Sequence, residues 1–165
     1  MDSLIRFIAQ YLIVAIVAGV VVAWFMAPKV NRWRITLSVI TAGIIALVLS
    51  RIASRLYYDP RPFVTEHVQP LFYHAPDNGF PSDHSLLAMA LTATIYFFNK
   101  KLAGVMLILT VLIGVARVLA KVHSPLDIGA AWVIGIVGAV AGYYLVDYYW
   151  TRRLQKSNSE SNVVS

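Results

Sequence analysis

The chain has 165 residues, of which 59% are hydrophobic and only 13% are charged, and its mean hydropathy is +0.68. A soluble domain of this length lacks the interior volume to bury so much apolar surface, so the composition favours an integral membrane protein. The net charge of +6 lies mostly at the ends of apolar segments, which argues against nucleic-acid binding. The absence of cysteine excludes disulfides and thiolate metal sites.

Five apolar stretches predict an all-α, polytopic membrane bundle of about five transmembrane helices. Most of them approach or exceed the roughly 20 residues that a helix needs to cross the hydrocarbon core, and the third is the shortest. We expect residues 1–150 to form one membrane-embedded domain and the polar residues 151–165 to form a disordered cytoplasmic tail. The stretches are Leu4–Met26, Ile35–Leu56, His84–Phe98, Leu102–Leu119 and Leu126–Trp150.

Basic residues between the apolar stretches indicate the orientation of the chain. Five crossings place three basic groups on the same side, and the positive-inside rule makes that side cytoplasmic. We therefore predict an N-terminus outside and a C-terminus inside. The outward loops, at about residues 57–83 and 120–125, also carry Arg and Lys, which suggests that these charges bind an anion. The three basic groups are Lys29, Arg32 and Arg34; Lys100 and Lys101; and Arg152, Arg153 and Lys156.

The segment around His123 has the pattern of a nucleophilic site. Ser124, Pro125 and Asp127 are typical of the first residues of a helix. His123 therefore lies just before a helix N-terminus, where backbone N–H groups and the helix dipole favour an anion. Asp127 is spaced to hold the imidazole in one tautomer. A simpler interpretation is that Asp127 only caps the helix and His123 is a loop histidine.

A second polar cluster, Pro-Ser-Asp-His at positions 81–84, also precedes an apolar stretch. Ser82 at the helix start would leave the first N–H groups free for a phosphate oxygen. His84 would lie in the first turn, close enough to give a proton to a leaving oxygen. The alternative is an ordinary helix start with an interfacial histidine.

Two arginines complete the set of candidate anion-binding groups. Arg61 and Arg117 can each bind phosphate oxygens bidentately. Arg117 lies near the outer end of the fourth stretch, where an unpaired charge is costly and usually functional, although snorkelling to the interface is the alternative. Arg61 lies between two prolines in an extended segment, which also fits a rigid surface turn. The placement of all these groups at one membrane face favours a shared site.

These clusters resemble the signature of the type-2 phosphatidic acid phosphatase superfamily, which reads Lys-x6-Arg-Pro, Pro-Ser-Gly-His and Ser-Arg-x5-His-x3-Asp. Three positions depart from it, because Ser54 stands at the lysine, Asp83 at the glycine and Ala116 at the first serine of the third motif. The Pro-Ser-Asp-His form and the short layout resemble the bacitracin-resistance branch of undecaprenyl diphosphatases. The matching residues are Arg61 and Pro62; Pro81, Ser82 and His84; and Arg117, His123 and Asp127.

The resemblance implies how phosphate would be bound. Arg61, Arg117 and backbone groups near Ser82 would hold the terminal phosphate of a lipid substrate. Either Arg55 or Arg51 would take the place of the missing lysine. The resemblance implies no metal and no other cofactor.

The resemblance also implies a covalent mechanism. His123, oriented by Asp127, would attack phosphorus and form a phosphohistidine. His84 would protonate the leaving oxygen and then activate water. Because the two histidines need opposite protonation states, we expect a bell-shaped pH–rate profile.

The leading hypothesis is hydrolysis of undecaprenyl diphosphate to undecaprenyl phosphate at the outer face of the plasma membrane. One alternative is the same chemistry on phosphatidate or phosphatidylglycerol phosphate. Another is a non-catalytic lipid-phosphate binder or transporter, which the scarcity of ionisable residues at mid-depth disfavours. A third is a structural subunit whose basic loops contact anionic lipid. The sequence leaves the oligomeric state open.

Several other residues fit ordinary structural roles. We expect His67 and His74 to belong to a solvated loop without a catalytic role. Gly138 and Gly142 form a Gly-xxx-Gly pattern that fits either a dimer face or, more simply, close packing inside the bundle. Asp147 is expected to pair with Arg152 or another basic neighbour.

Overall fold

The computed structural model describes residues 1–163, with side chains described through Arg152. Regular secondary structure in this part of the chain is entirely helical, which confirms the all-α prediction. The only extended pairing there is an isolated bridge between Pro60 and Asn78. The helices are α1 (Asp2–Tyr11), α2 (Ile13–Met26), α3 (Lys29–Leu56), α4 (Pro62–Thr65), α5 (Asp83–Tyr96), α6 (Lys100–Leu119) and α7 (Pro125–Val163).

The protein is a multi-pass membrane protein, with three or four helical segments that meet the length and apolarity of a membrane span. These are α3, α6 and the part of α7 up to Arg152, together with the α1–α2 pair if its two helices count as one span. The third predicted stretch corresponds to α5, whose 14 residues extend only about 21 Å, against a hydrocarbon core of about 30 Å. The count of five crossings therefore stays a prediction.

The first predicted stretch is not one straight helix, because α1 and α2 meet at Leu12 with a bend of 42°. An arginine from another helix reaches this region, since Arg117 Nη1 donates to the Ala9 carbonyl at 3.1 Å. A side chain that inserts into the backbone hydrogen-bond ladder is a recognised cause of a helix bend. This hydrogen bond connects the first span to the C-terminal end of α6.

Helix α5 lies at the centre of the bundle and packs against α2, α3, α6 and α7. Ala88 and Ile95 are completely buried. The buried hydroxyl of Thr92 pairs with that of Thr110 on α6 at 2.9 Å. Protein rather than lipid covers most of this helix, so it needs neither the length nor the uniform apolarity of a lipid-facing span.

Small residues bring α3 and α7 into close contact. A Cβ atom at Gly142 would lie 2.6 Å from the Ala42 backbone nitrogen, and one at Gly138 would lie 2.8 Å from the Ala46 Cβ. The Gly-xxx-Gly pattern is therefore used for packing inside the bundle, as the simpler of the two interpretations predicted.

The far end of the same helix pair is joined by an ion pair. Asp147 on α7 pairs with Arg34 on α3, so its basic partner comes from the neighbouring helix. Helix α7 continues to Val163, while residues 164–165 lie outside the described part of the chain. The division into a membrane domain at 1–150 and a disordered tail at 151–165 stays a prediction.

Four helix ends meet at the opposite end of the bundle, where α3 and α6 finish and α5 and α7 begin. The long loop between α3 and α5 is fixed there by the amide of Asn78. Its Nδ2 donates to the carbonyls of Ser54 and Tyr57, both at 3.0 Å. Its Oδ1 accepts from the backbone N–H groups of Asp59 at 2.9 Å and Phe80 at 3.0 Å. All four bonds of the amide are used, which holds the loop against the end of α3.

Candidate active site

A cavity of about 420 Å³ opens at this end of the bundle, between α3, the long loop, α5, α6 and the segment before α7. It is large enough for a small polar headgroup. Four of the predicted site residues line it together, namely Arg61, His84, Arg117 and His123.

His123 is almost completely buried, and its two ring nitrogens have different environments. Nδ1 lies 3.1 Å from Oδ2 of the buried Asp127, which also accepts the Ser124 backbone N–H at 2.8 Å. A carboxylate only accepts hydrogen bonds, so the proton of the neutral imidazole is on Nδ1. The Nε2 atom therefore carries the lone pair.

The lone pair of His123 Nε2 faces two guanidinium groups. Arg117 Nη2 lies 3.1 Å away and Arg61 Nη1 lies 3.3 Å away. Burial lowers the pKa of His123 below its ordinary value, and the charges of Arg117 and Arg61 lower it further, against the opposing effect of Asp127. The histidine is thus an uncharged base beside two anion-binding groups.

The two arginines are held in place by other hydrogen bonds. Arg61 Nη1 also donates to the Val122 carbonyl at 2.8 Å, and Arg61 Nε donates to Asp77 Oδ1 at 2.8 Å. Arg117 is 2% exposed, and its Nε has no hydrogen-bond partner among the residues with described side chains. A buried, charged donor with spare hydrogen-bonding capacity is suited to bind an anion.

The start of α7 matches the predicted helix start. The Asp127 backbone N–H donates to Ser124 Oγ at 3.1 Å, so Ser124 caps the helix. The Ser124 hydroxyl in turn donates to Asp59 Oδ2 at 2.7 Å. The peptide that carries His123 is therefore tied both to α7 and to the long loop.

The residues of the second motif take different positions around the cavity. Asp83 and His84 line it from the first turn of α5. Ser82 is the N-cap residue of α5 but makes no side-chain capping bond, and its buried hydroxyl has no partner within the described side chains. Its backbone N–H donates to the Asp127 carbonyl at 3.4 Å, which joins the starts of α5 and α7.

The two candidates for the missing lysine differ in position. Arg51 and Ser54 line the cavity from α3, together with Ser50. Arg55 is exposed and does not line it. The basic side chain that α3 presents to the cavity is therefore Arg51.

Two residues of the long loop, His74 and Asp77, contact the arginines. The sequence analysis assigned neither of them to the site. His74 Nε2 lies 3.3 Å from Arg117 Nη2, and its ring centroid is 6.0 Å from that of His123. The expectation that His74 is a solvated loop residue is wrong, because the loop folds back over the cavity. His67, in contrast, is exposed as expected. No spacing rule in the sequence indicated this return of the loop.

The charges in the cavity shift the pKa values of His74 and Asp77. Burial, together with the charges of Arg61 and Arg117, lowers the pKa of His74 to about 4. Burial alone would raise the pKa of Asp77, but the hydrogen bond and charge of Arg61 outweigh it and lower that pKa. Among the described residues, no group of three His, Asp or Glu side chains is arranged to hold a metal ion.

The helical membrane fold and this cavity together define a membrane phosphatase. The chain belongs to the PAP2 superfamily, whose family model matches residues 31–151. The resemblance noted in the three sequence motifs is thereby confirmed.

Two curated relatives support the same branch of the family. The Bacitracin transport permease protein BcrC of Bacillus licheniformis is 33% identical over 141 residues, which are 85% of this chain and 69% of that protein. The Undecaprenyl-diphosphatase BcrC of Bacillus subtilis (strain 168) is 34% identical over 137 residues, which are 83% of this chain and 70% of that protein.

Two solved structures share the fold. The crystal structure of Aquifex aeolicus LpxE matches with a TM-score of 0.62 at 23% identity, over 85% of this chain and 92% of that one. A PAP2-type phosphatidylglycerolphosphate phosphatase from Bacillus subtilis matches with a TM-score of 0.63 at 18% identity, over 92% of this chain and 77% of that one.

Proposed function

We propose that this protein hydrolyses a lipid diphosphate, undecaprenyl diphosphate, to undecaprenyl phosphate and inorganic phosphate. The observation that carries the proposal is the position of His123, whose Nε2 lies within 3.3 Å of both Arg61 and Arg117 while its Nδ1 lies 3.1 Å from Asp127. Arginines at this position would hold a phosphate group directly against a nucleophilic nitrogen. The name of the Bacillus subtilis relative supports the choice of a diphosphate over other lipid phosphates.

In the first step, the terminal phosphate exchanges its water for the guanidinium groups of Arg61 and Arg117. His123 Nε2 forms a bond to phosphorus while the bond to the bridging oxygen breaks, and undecaprenyl phosphate leaves with the electron pair. Arginine charge offsets the negative charge that spreads over the phosphoryl oxygens in the transition state. Asp127 holds the Nδ1 proton and stabilises the positive charge that forms on the imidazole.

In the second step, water hydrolyses the phosphohistidine. His84, which lines the same cavity, gives a proton to the leaving oxygen in the first step and takes one from the attacking water in the second. The N–P bond breaks, inorganic phosphate leaves, and His123 returns to its neutral form. Arg51 contributes the positive charge that the family lysine would supply from α3.

The proposal places the cavity at the outer face of the plasma membrane. Helices α3 and α6 begin with Lys29 and Lys100 at the end of the bundle opposite the cavity. By the positive-inside rule this end is cytoplasmic. A lipid in the outer leaflet would keep its tail in the bilayer and present its diphosphate to the cavity.

Phosphate release from undecaprenyl diphosphate tests the proposal directly. The protein is purified in detergent and assayed with EDTA present, and wild type is compared with His123→Ala. The exposed loop residue His67 provides the control His67→Ala. We expect the nucleophile variant to lose roughly 10³-fold or more in kcat, and the control to retain wild-type activity.

Other outcomes have distinct meanings. Equal release by wild type and His123→Ala would contradict the assignment of the nucleophile. Wild-type release from phosphatidate or phosphatidylglycerol phosphate, but not from the diphosphate, would contradict the proposed substrate and retain the chemistry.

A further inference from the structure

Asp77 is an acidic residue of the long loop that lines the cavity and lies outside the three family motifs. Its Oδ1 accepts a hydrogen bond from Arg61 Nε at 2.8 Å. The Asp77 side chain is 63% exposed, and an ion pair so open to water contributes little to the stability of a protein. A carboxylate at the cavity also repels an anionic substrate. Neither stability nor attraction of the substrate therefore explains its position.

The guanidinium group of Arg61 is held by two acceptors on different parts of the chain. Its Nε donates to Asp77, and its Nη1 donates to the Val122 carbonyl at 2.8 Å. Because the group is planar and its donors are fixed relative to one another, bonds from two different nitrogens set its orientation. In this orientation Nη1 lies 3.3 Å from His123 Nε2. The bond to Asp77 thus helps to set how Arg61 faces the nucleophile.

The backbone that carries Asp77 is itself held firmly. The adjacent Asn78 uses all four hydrogen bonds of its side-chain amide to hold the loop against the end of α3. A Cβ atom at Gly79 would lie 2.9 Å from Asp127 Oδ2 and 3.4 Å from Arg61 Cγ. The loop therefore packs directly against two residues of the site, and Asp77 is fixed relative to both of them.

We propose that Asp77 is a positioning residue, which orients the guanidinium group of Arg61 toward the phosphoryl group that His123 attacks. This inference rests on the proposed function, in which Arg61 binds the phosphate. The charge of an arginine attracts phosphate in many orientations, but the transition state is stabilised most by N–H groups that already point at its oxygens. Loss of the bond to Asp77 should therefore lower kcat more than it raises KM.

Two substitutions of Asp77 separate its hydrogen bond from its charge. Asp77→Asn removes the charge and keeps an oxygen that can accept from Arg61 Nε. Asp77→Ala removes both the charge and the acceptor. Glu66→Ala is the matched control, because Glu66 is an acid of the same loop that pairs with Lys121 at 2.7 Å and does not line the cavity.

The experiment measures kcat and KM for undecaprenyl diphosphate, the melting temperature, and the dissociation constants of orthovanadate and inorganic phosphate for each detergent-purified protein. Vanadate adopts the five-coordinate geometry of phosphoryl transfer, so its affinity reports the orientation of the site without turnover. We expect Asp77→Ala to lower kcat and vanadate affinity about 10-fold or more, with KM and phosphate affinity changed by less than about 3-fold. Asp77→Asn and Glu66→Ala should stay within about 3-fold of wild type in every constant. All three variants should melt close to wild type.

A second comparison tests whether Asp77 acts through Arg61. In an Arg61→Gln background, Asp77→Ala should cause no further loss of vanadate affinity, because the group that Asp77 orients is absent. Two residues that act as one unit show this lack of additivity, whereas independent residues do not.

Three results would overturn the inference. Unchanged kcat and vanadate affinity in Asp77→Ala would show that the orientation of Arg61 does not depend on this bond. Equal losses in Asp77→Ala and Asp77→Asn would show that the charge matters rather than the acceptor. An undiminished loss in the Arg61→Gln background would show that Asp77 acts on another group. If wild type binds vanadate with the expected difference between the two Asp77 variants but releases no phosphate from the diphosphate, the proposed function fails and the positioning role stands.

Discussion

At the scale of the residue, the chemistry of His123 follows from what surrounds its two ring nitrogens. Asp127 fixes the proton on Nδ1, while two arginines face Nε2. Burial and the charges of the two arginines lower the pKa of His123 more than the Asp127 carboxylate raises it, so the imidazole is neutral at pH 7. The arginines that bind phosphate thereby also keep the nucleophile in its reactive form.

The pH dependence of activity should report this shift. The pKa of His123 lies below its ordinary value of 6.5, so the neutral, nucleophilic form persists as the pH falls through 6.5. We therefore expect kcat/KM to decline only at a lower pH, when His123 gains a proton. The measurement is the pH profile of kcat/KM for undecaprenyl diphosphate from pH 4 to 9. An acidic limb with its midpoint at or above about 7 would contradict the derived environment of His123.

Arg51 and Arg55 offer a matched test of which side chain replaces the family lysine. Arg51 lines the cavity and Arg55 does not. We expect Arg51→Gln to lower kcat/KM by about 10- to 100-fold, because a charge-assisted contact to phosphate is lost. Arg55→Gln should leave kcat/KM within about 2-fold of wild type. The measurement is kcat/KM of both variants in the same assay. A larger loss in Arg55→Gln than in Arg51→Gln would show that Arg55 reaches the substrate.

The residue scale also shows where sequence interpretation succeeds. His123, Asp127 and Ser124 are local in sequence, so helix-start chemistry alone predicted their arrangement. The choice between Arg51 and Arg55 depends on how α3 is rotated about its axis, which the sequence around them does not reveal. The position of His74 depends on the path of a long loop, which is set by distant contacts such as those of Asn78.

At the scale of the element, the bundle uses different kinds of helix for different surroundings. Helix α5 is short and carries buried hydroxyls because four other helices cover most of its surface. The α1–α2 pair bends where Arg117 reaches Ala9. Hydropathy predicted where these helices lie in the chain. It could not predict the bend or the central position of α5, because both arise from contacts between helices distant in sequence.

Close packing of α7 on α3 predicts a sharp difference between two glycines of α7. A Cβ atom at Gly142 would meet the Ala42 backbone at 2.6 Å, whereas one at Gly129 would meet nothing within 4 Å. Gly142→Ala should therefore destabilise the protein by about 1–3 kcal/mol through overpacking. Gly129→Ala should be neutral or stabilising by up to about 1 kcal/mol, because alanine favours a helix.

Melting temperatures of the two variants in detergent test this difference, and size-exclusion profiles test the dimer alternative. An unchanged melting temperature for Gly142→Ala, together with elution at a smaller apparent size than wild type, would contradict this. It would mean that the glycines form an interface between copies of the chain rather than between α3 and α7.

At the scale of the whole molecule, the outside of the bundle is apolar and its two ends are different. Side chains such as Ile44, Ile108 and Val133 are more than half exposed in the isolated chain and would face lipid tails. One end carries the cavity with its arginines and histidines. The other carries the starts of α3 and α6, with Lys29 and Lys100. The orientation of these two ends decides which leaflet supplies the substrate.

Single cysteines test the orientation, because the natural chain contains none. Tyr73 is 90% exposed on the loop over the cavity, and Val30 is 64% exposed at the start of α3 at the opposite end. Neither change removes a basic residue, so the charge pattern that sets orientation is kept. In intact cells, a membrane-impermeant maleimide should label Tyr73→Cys, and it should label Val30→Cys only after permeabilisation. The opposite pattern would place the cavity in the cytoplasm and exclude a substrate in the outer leaflet. Labelling of both cysteines from outside would mean that α3 does not cross the membrane.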